Sequence, residues 1–177
     1  MNIPKDAILI LSVGELNANK NHKIVIEILP ELPNNVHYLM CGDGQLKEQH
    51  ERLAKKLHVS DRLHFLGYRK DVIKIMKSCD IFVFPSKREG LSVALMEAMA
   101  CGLPCVVSKI RGNEDLIENE KGGYCVDLEN ESFNIYINKI LELDLSRSMA
   151  AFNYNKVSNY SIKKVNLKMR EIYERNE

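Results

Sequence analysis

The chain has 177 residues, 45% of them hydrophobic and 28% charged, which supplies one packed core and reads as a single domain over 1–177. With a formal net charge of +1, no strong global field points to nucleic acid. The five cysteines, Cys41, Cys79, Cys101, Cys105 and Cys125, are odd in number. They sit in or beside apolar runs, and no second Cys/His pair stands at zinc spacing. They therefore read as buried reduced thiols of a cytoplasmic protein, and neither a disulfide framework nor a metal site is expected. No apolar run approaches the ~18–20 residues that a membrane-spanning helix needs.

Charge is unevenly spread. Residues 111–144 carry three basic and nine acidic side chains, and residues 147–177 carry seven basic and three acidic. The basic tail reads as a solvated helix face that is also able to lie against an acidic surface or the inner face of a membrane. Met1–Lys5 reads as a linker entering a domain, with no targeting segment.

Taken in order, Ala7–Val13 is a continuous apolar run, the pattern of a parallel strand covered on both faces. Helix is predicted over Asn21–Leu32, strand over Val36–Cys41, helix over Gln45–Leu57 and strand over Leu63–Leu66. A short helix over Asp71–Ser78 precedes a strand at Asp80–Pro85. Ser92–Cys101 is a helix that Gly102 and Pro104 stop. Strand Cys105–Ser108, a short helix opening at Asn113 and strand Gly123–Val126 follow. From Glu131 the chain reads as helices, and the last of them, Ser161–Asn176, carries an apolar stripe of Ile162, Val165, Met169 and Ile172.

Six strand–helix alternations predict a doubly wound, Rossmann-like α/β fold. Its parallel sheet has six strands with helices on both faces. The core spans 7–127 and C-terminal helices occupy 131–177. Such sheets bind ligands at the carboxyl ends of their strands. Attention therefore falls on the loops 14–21, 42–44, 67–69, 86–92 and 109–113.

The segment from Glu89 to Pro104 carries most chemistry. Ser92 is a helix N-cap. Beyond it the first turn offers free N–H groups and the positive end of the helix dipole, a seat for a diphosphate. Gly90 permits close backbone approach. Glu89 precedes the helix and Glu97 lies in its second turn, roughly 7–8 Å past Ser92 at 1.5 Å per residue. Carboxylates bind hydroxyls, so the pair suits a ligand with alcohols at both ends and a diphosphate between. Equally, Glu89 reads as a solvated loop residue and Glu97 as a stray carboxylate on an apolar helix, and these residues alone do not separate the two.

Glu89 and Glu97, with seven residues between them, resemble the E-x7-E signature of family 4 retaining glycosyltransferases of the two-domain GT-B fold. Phe84-Pro85-Ser86, Glu89-Gly90-Leu91, Glu97-Ala98-Met99-Ala100 and Gly102-Leu103-Pro104 match its surroundings. Val13-Gly14-Glu15-Leu16 with Lys20-Asn21-His22, Cys41-Gly42-Asp43-Gly44 and Phe65-Leu66-Gly67 follow in family order, over residues 7–127. The resemblance implies the donor-binding half of such an enzyme, taking a nucleoside-diphosphate sugar with no cofactor and no divalent metal. It implies Glu89 on the donor sugar, Glu97 on the ribose, backbone of Gly90, Leu91, Ser92 and Val93 on the diphosphate, and Lys20 neutralising the phosphates. Gly14 lies in the first loop, while Gly67 and Arg69 fall where the family lines the base pocket.

Two departures stand out. Glu15 occupies a position where relatives often carry Arg: either it turns away, toward Lys20 or Lys23, or phosphate binding rests more heavily on Lys20. Ser92 replaces a common glycine. Relatives are roughly twice as long, with an N-terminal acceptor-binding domain. This chain is accordingly expected to be an excised domain or a split-enzyme subunit, inactive alone, whose acceptor is a glycan or lipid-linked saccharide. A non-catalytic nucleotide-binding module and a sugar-nucleotide epimerase would use the same half. The loop after the first strand lacks G-x-G-x-x-G, and no G-x-x-x-x-G-K-[ST] occurs, against a dehydrogenase or P-loop NTPase.

Overall fold

The structure, a computed structural model, describes residues 3–143 and 145–174, without the side chains of 146 and 147. The expectations for Met1, Asn2 and Asp144, and the reach of the last helix to Asn176, lie outside the described residues. Strands are β1 Ile8–Val13, β2 Val36–Cys41, β3 Leu63–Gly67, β4 Ile81–Phe84, β5 Cys105–Ser108 and β6 Gly123–Val126. All pair in parallel, in the order β3-β2-β1-β4-β5-β6. This is a doubly wound sheet whose strand order reverses between β1 and β4, the place where such folds open a crevice.

The strands are apolar on both faces because both are covered. Ile10, Tyr38, Met40, Val83 and Val106 join one core with α1 (Lys23–Ile28), α2 (Lys47–Lys56) and α6 (Asn130–Glu142). Leu11, Leu39, Phe82, Phe84 and Val107 join the other with α3 (Val72–Met76) and α4 (Val93–Ala100). The short helix α5 is Arg111–Glu114, and α7, Ser146–Val157, packs on α4. The last helix, α8 (Ile162–Glu174), has no buried residue and rests chiefly on the 3-10 turn before it.

Several helices are shorter than their sequence patterns. The first ends at Ile28 and tightens into a 3-10 turn, with Pro30 near its start, since proline lacks the N–H that would continue an α-helix. The fifth begins at Arg111, two residues before its predicted opening at Asn113. Strands β2, β5 and β6 keep their predicted limits.

Candidate functional site

Two loops meet at the switch point. β1 runs out through Gly14, whose φ of 153° is open to glycine. A Cβ there would lie 2.9 Å from Lys20 Cε, so the bare backbone is the bed on which the Lys20 stem rests. The loop holds its shape through Asn17, whose Oδ1 accepts from the N–H groups of Asn19 and Lys20, both at 3.0 Å, a local turn of the kind asparagine favours. Lys20 Nζ then reaches Glu89 Oε1 at 2.7 Å, with side-chain exposures of 19% and 13%. It also stands 4.6 Å from the Phe84 ring centroid at the end of β4. Two further bonds stitch the loops together. Lys87 N–H donates to Asn19 O at 2.8 Å, and Asn19 Nδ2 donates to Arg88 O at 2.9 Å.

Glu15 does not turn toward Lys20 or Lys23. Its Oε2 accepts from Asn17 Nδ2 at 3.0 Å, while Lys20 is taken by Glu89 and Lys23 by Glu27 at 3.2 Å. The reason is local: Asn17 is two residues away and already fixed, whereas Lys20 has a partner brought by the fold and Lys23 one four residues along its own helix.

Beyond Glu89, α4 starts as its sequence dictates. Ser92 has extended backbone, and its Oγ accepts from Leu95 N–H at 3.4 Å. The N–H groups of Val93 and Ala94 precede the intrahelical ladder. Leu91 and Val93 are exposed, and a Cβ added at Gly90 meets nothing within 4 Å, so this helix end opens onto free space. The side chain of Glu97, in the second turn, makes no hydrogen bond or ion pair among the described residues. It borders a groove of about 410 Å³ with Val93, Met96 and Ala100 of α4 and Tyr154 and Val157 of α7. Glu89 and Glu97 therefore flank the open helix start without sharing one cavity.

On the other side of Gly14 lies a cavity of about 420 Å³ lined by Val13, Glu15, Cys41, Asp43, Tyr68, Arg69 and others. Gly67 shapes it from behind: its φ is 65°, its carbonyl accepts from Gly42 N–H at 2.9 Å, and Asp43 Oδ2 accepts from Tyr68 N–H at 3.0 Å. Arg69 lines the rim. Its Nε and Nη2 donate to the two oxygens of Asp71, each at 2.8 Å, and the guanidinium holds that carboxyl below the usual range. The structure thus places Gly14 and Arg69 around one cavity with Gly67 behind it. Lys20 and Glu89 meet at the neighbouring loop junction, and Gly90, Leu91, Ser92 and Val93 lie at the helix start.

Sequence reasoning missed the support behind the Glu89 loop. A Cβ on Gly112 would sit 2.1 Å from Gly90 O and 2.8 Å from Glu89 O, so α5 presses its backbone directly on the loop. Next to it, Asn113 Nδ2 donates to Ser108 O at 2.9 Å, and Ser108 Oγ donates to Ser86 O. The only sequence signal was a glycine within 109–113. Also unforeseen was the buried chain in which Tyr38 Oη donates to Ser12 Oγ at 2.8 Å and lies 3.0 Å from His22 Nδ1.

A family model described as "Glycosyl transferases group 1" matches residues 1–157. The chain belongs to that family. Among its relatives is the Escherichia coli UDP-Gal:alpha-D-GlcNAc-diphosphoundecaprenol alpha-1,3-galactosyltransferase, 30% identical over 98% of this chain and 47% of that protein. A Campylobacter jejuni N-acetylgalactosamine-N,N'-diacetylbacillosaminyl-diphospho-undecaprenol 4-alpha-N-acetylgalactosaminyltransferase is 32% identical over 70% of this chain and 34% of its own length. Anabaena HepE, solved in complex with UDP-glucose, superposes with a TM-score of 0.88 at 24% identity, covering 96% of this chain and 49% of that one. The chain spans half or less of the length of these proteins. Its sheet and helices are those of one half of a GT-B glycosyltransferase.

Proposed function

We propose that this glycosyl transferases group 1 chain is the donor half of a retaining, metal-independent glycosyltransferase. It would move a hexose-type sugar from a nucleoside diphosphate sugar to a glycan or lipid-linked acceptor. The observation that carries the reading is the Lys20–Glu89 ion pair at the switch point, 2.7 Å long, beside the open N-terminus of α4.

The diphosphate settles on the N–H groups of Val93 and Ala94, where helix dipole and free donors favour an anion. Lys20 leaves Glu89 to meet the phosphates and stabilises the charge that grows as the diphosphate departs. Glu89, released, accepts from donor-sugar hydroxyls. Glu97 accepts from the ribose hydroxyls, and the cavity rimmed by Arg69 and shaped by Gly67 takes the base. The acceptor hydroxyl attacks the anomeric carbon on the face the phosphate leaves. The new C–O bond forms as the old one breaks, and the hydroxyl proton passes to the departing phosphate oxygen. Glu89 is a binding group in this scheme, and the cationic role otherwise given to a metal falls to Lys20 and the helix end.

The solved relative's UDP-glucose complex supports a uridine donor. The undecaprenol-linked acceptors named for two relatives support a lipid-linked acceptor reached at the inner face of a membrane. Among the described residues no helix is long and apolar enough to cross one. An acceptor-binding domain would close over the strand ends and cover the exposed α8 stripe of Ile162, Val165 and Met169. The chain alone would bind nucleotide and transfer no sugar.

A thermal-shift and calorimetry panel of UDP, GDP, ADP and their glucose conjugates, run with a chelator present, tests this. UDP is expected to raise the melting temperature most. A flat response to every nucleotide would instead favour a module without donor binding, a reading to which the acidic Glu15 on the base cavity lends its support.

A further inference from the structure

Asn19 stands immediately before Lys20 and joins its loop to the one that carries Glu89. Its carbonyl accepts from Lys87 N–H at 2.8 Å, and its Nδ2 donates to Arg88 O at 2.9 Å. Its own N–H is held by Asn17 Oδ1 at 3.0 Å. Apart from the Lys20–Glu89 pair itself, no other hydrogen bond or ion pair among the described residues joins 14–22 to 85–92. The sheet does not impose this alignment. The paired register of β1 and β4 ends at Leu11 and Phe82, and both loops run on beyond it. Ser108 and Gly112 support the Glu89 loop from its opposite flank, which fixes it against β5 and α5 but not against Lys20.

We propose that Asn19 is a positioning residue: it sets Lys20 opposite Glu89, and it keeps the two spaced for one ligand when their ion pair opens. Asn19–Arg88 and Lys20–Glu89 have the same sequence separation, 69 residues, so the first contact sets the register of the second. Bonding to two consecutive residues matters. A single hydrogen bond is a pivot, and a second one beside it removes the rotation. The second half of the claim rests on the donor reading, in which phosphate draws Lys20 away from Glu89. The ion pair then no longer ties the loops together. The Asn19 bonds join neutral amide and carbonyl groups, so an arriving anion leaves them in place. Lys20 on the phosphates and Glu89 on the sugar keep their spacing, and misplacement by about 1 Å is enough to cost reactivity about 100-fold.

Asn19→Leu tests this, since leucine has nearly the bulk of asparagine and no donor. Asn19 is half-buried and Arg88 exposed, so the freed carbonyl meets water and the variant should fold. The first readout needs no ligand. It is a double-substitution cycle of Lys20→Ala and Glu89→Gln, read as unfolding equilibrium constants in urea. The pair should couple by about 5-fold in the parent and by less than ~2-fold beside Asn19→Leu. Asn19→Gln, which returns an amide on a longer stem, should recover part of that coupling. The second readout is calorimetry, in which Asn19→Leu should cost UDP-glucose at least ~3-fold more affinity than it costs UDP. Coupling that is equal in the two backgrounds, or absent from both, overturns the positioning role whatever the nucleotides do. An equal cost to both ligands overturns its second half. Coupling lost as expected, in a parent chain that binds neither ligand, would uphold the register and sink the donor reading.

Discussion

Lys20 and Glu89 lie 69 residues apart, and no local pattern couples them. Each was legible as a site residue only through its own surroundings, and their pairing had to come from β1 lying beside β4. Because the two neutralise each other, their variants should behave in opposite ways. Lys20→Ala removes the cation paired with Glu89 and should weaken UDP about 10-fold or more, the worth of one charge-assisted contact. Glu89→Gln frees Lys20 and should leave UDP affinity equal or improved, while the added affinity of a UDP-sugar over UDP disappears. Calorimetry of both variants decides, and a Glu89→Gln protein that loses UDP itself would contradict the assigned division of labour. Gly112 makes a sharper case for what sequence conceals. A methyl at that position has no room against Gly90 O at 2.1 Å, so Gly112→Ala should cost about 1–3 kcal/mol in urea unfolding and weaken UDP binding by displacing the loop. An unchanged midpoint would mean that the loop simply steps aside.

Among the elements, α4 does two jobs that substitution can separate. Ser92 caps it, and Ser92→Ala should cost about 1 kcal/mol of stability. Ser92→Asp keeps a capping oxygen and should hold stability near that of the parent, yet it sets a negative charge where the diphosphate sits and should abolish UDP binding. If UDP binds the aspartate variant normally, the nucleotide lies elsewhere. The capping serine and the Gly102-Pro104 stop were readable because they act within a turn of the helix they bound. The ends of α1 and α5 were not, since one yields to Pro30 and the other is drawn against the Glu89 loop. The helix α8 was read correctly as amphipathic, but none of its residues is buried, and it rests chiefly on the preceding turn. Removing residues 162–177 should therefore change the unfolding free energy by no more than ~0.5 kcal/mol, the usual effect of changes outside the core. A large loss would show that α8 belongs to this domain's own core.

At the scale of the whole molecule, the topology was the most legible feature, because buried parallel strands announce themselves as short unbroken apolar runs between glycines. What composition could not show is how the two cores treat their polar guests. His22 is sealed between β2 and α2, with Nδ1 on Tyr38 and the His50 ring edge-on at 6.1 Å. Burial, and then the neighbouring His50, lower its pKa from the ordinary 6.5 to about 3. Burial also lowers His50, and burial with His37 lowers His64. The sign follows from proton counting. Below pH 6.5 the unfolded chain takes protons at these sites more readily than the folded chain does, down to about pH 3 for His22, so stability falls as pH falls. The contribution is fully present above about pH 7 and declines below it, by at most about 1.4 kcal/mol per pH unit for each histidine. Urea unfolding at pH 7.5, 6 and 5, above the range where carboxylates titrate, should show this decline. Replacing His22 with Gln, which keeps a hydrogen-bonding group toward Tyr38 but cannot take a proton, should lower stability at pH 7.5 and flatten the slope. A variant that loses stability on acidification as steeply as the parent would show that His22 is not the group resisting the proton.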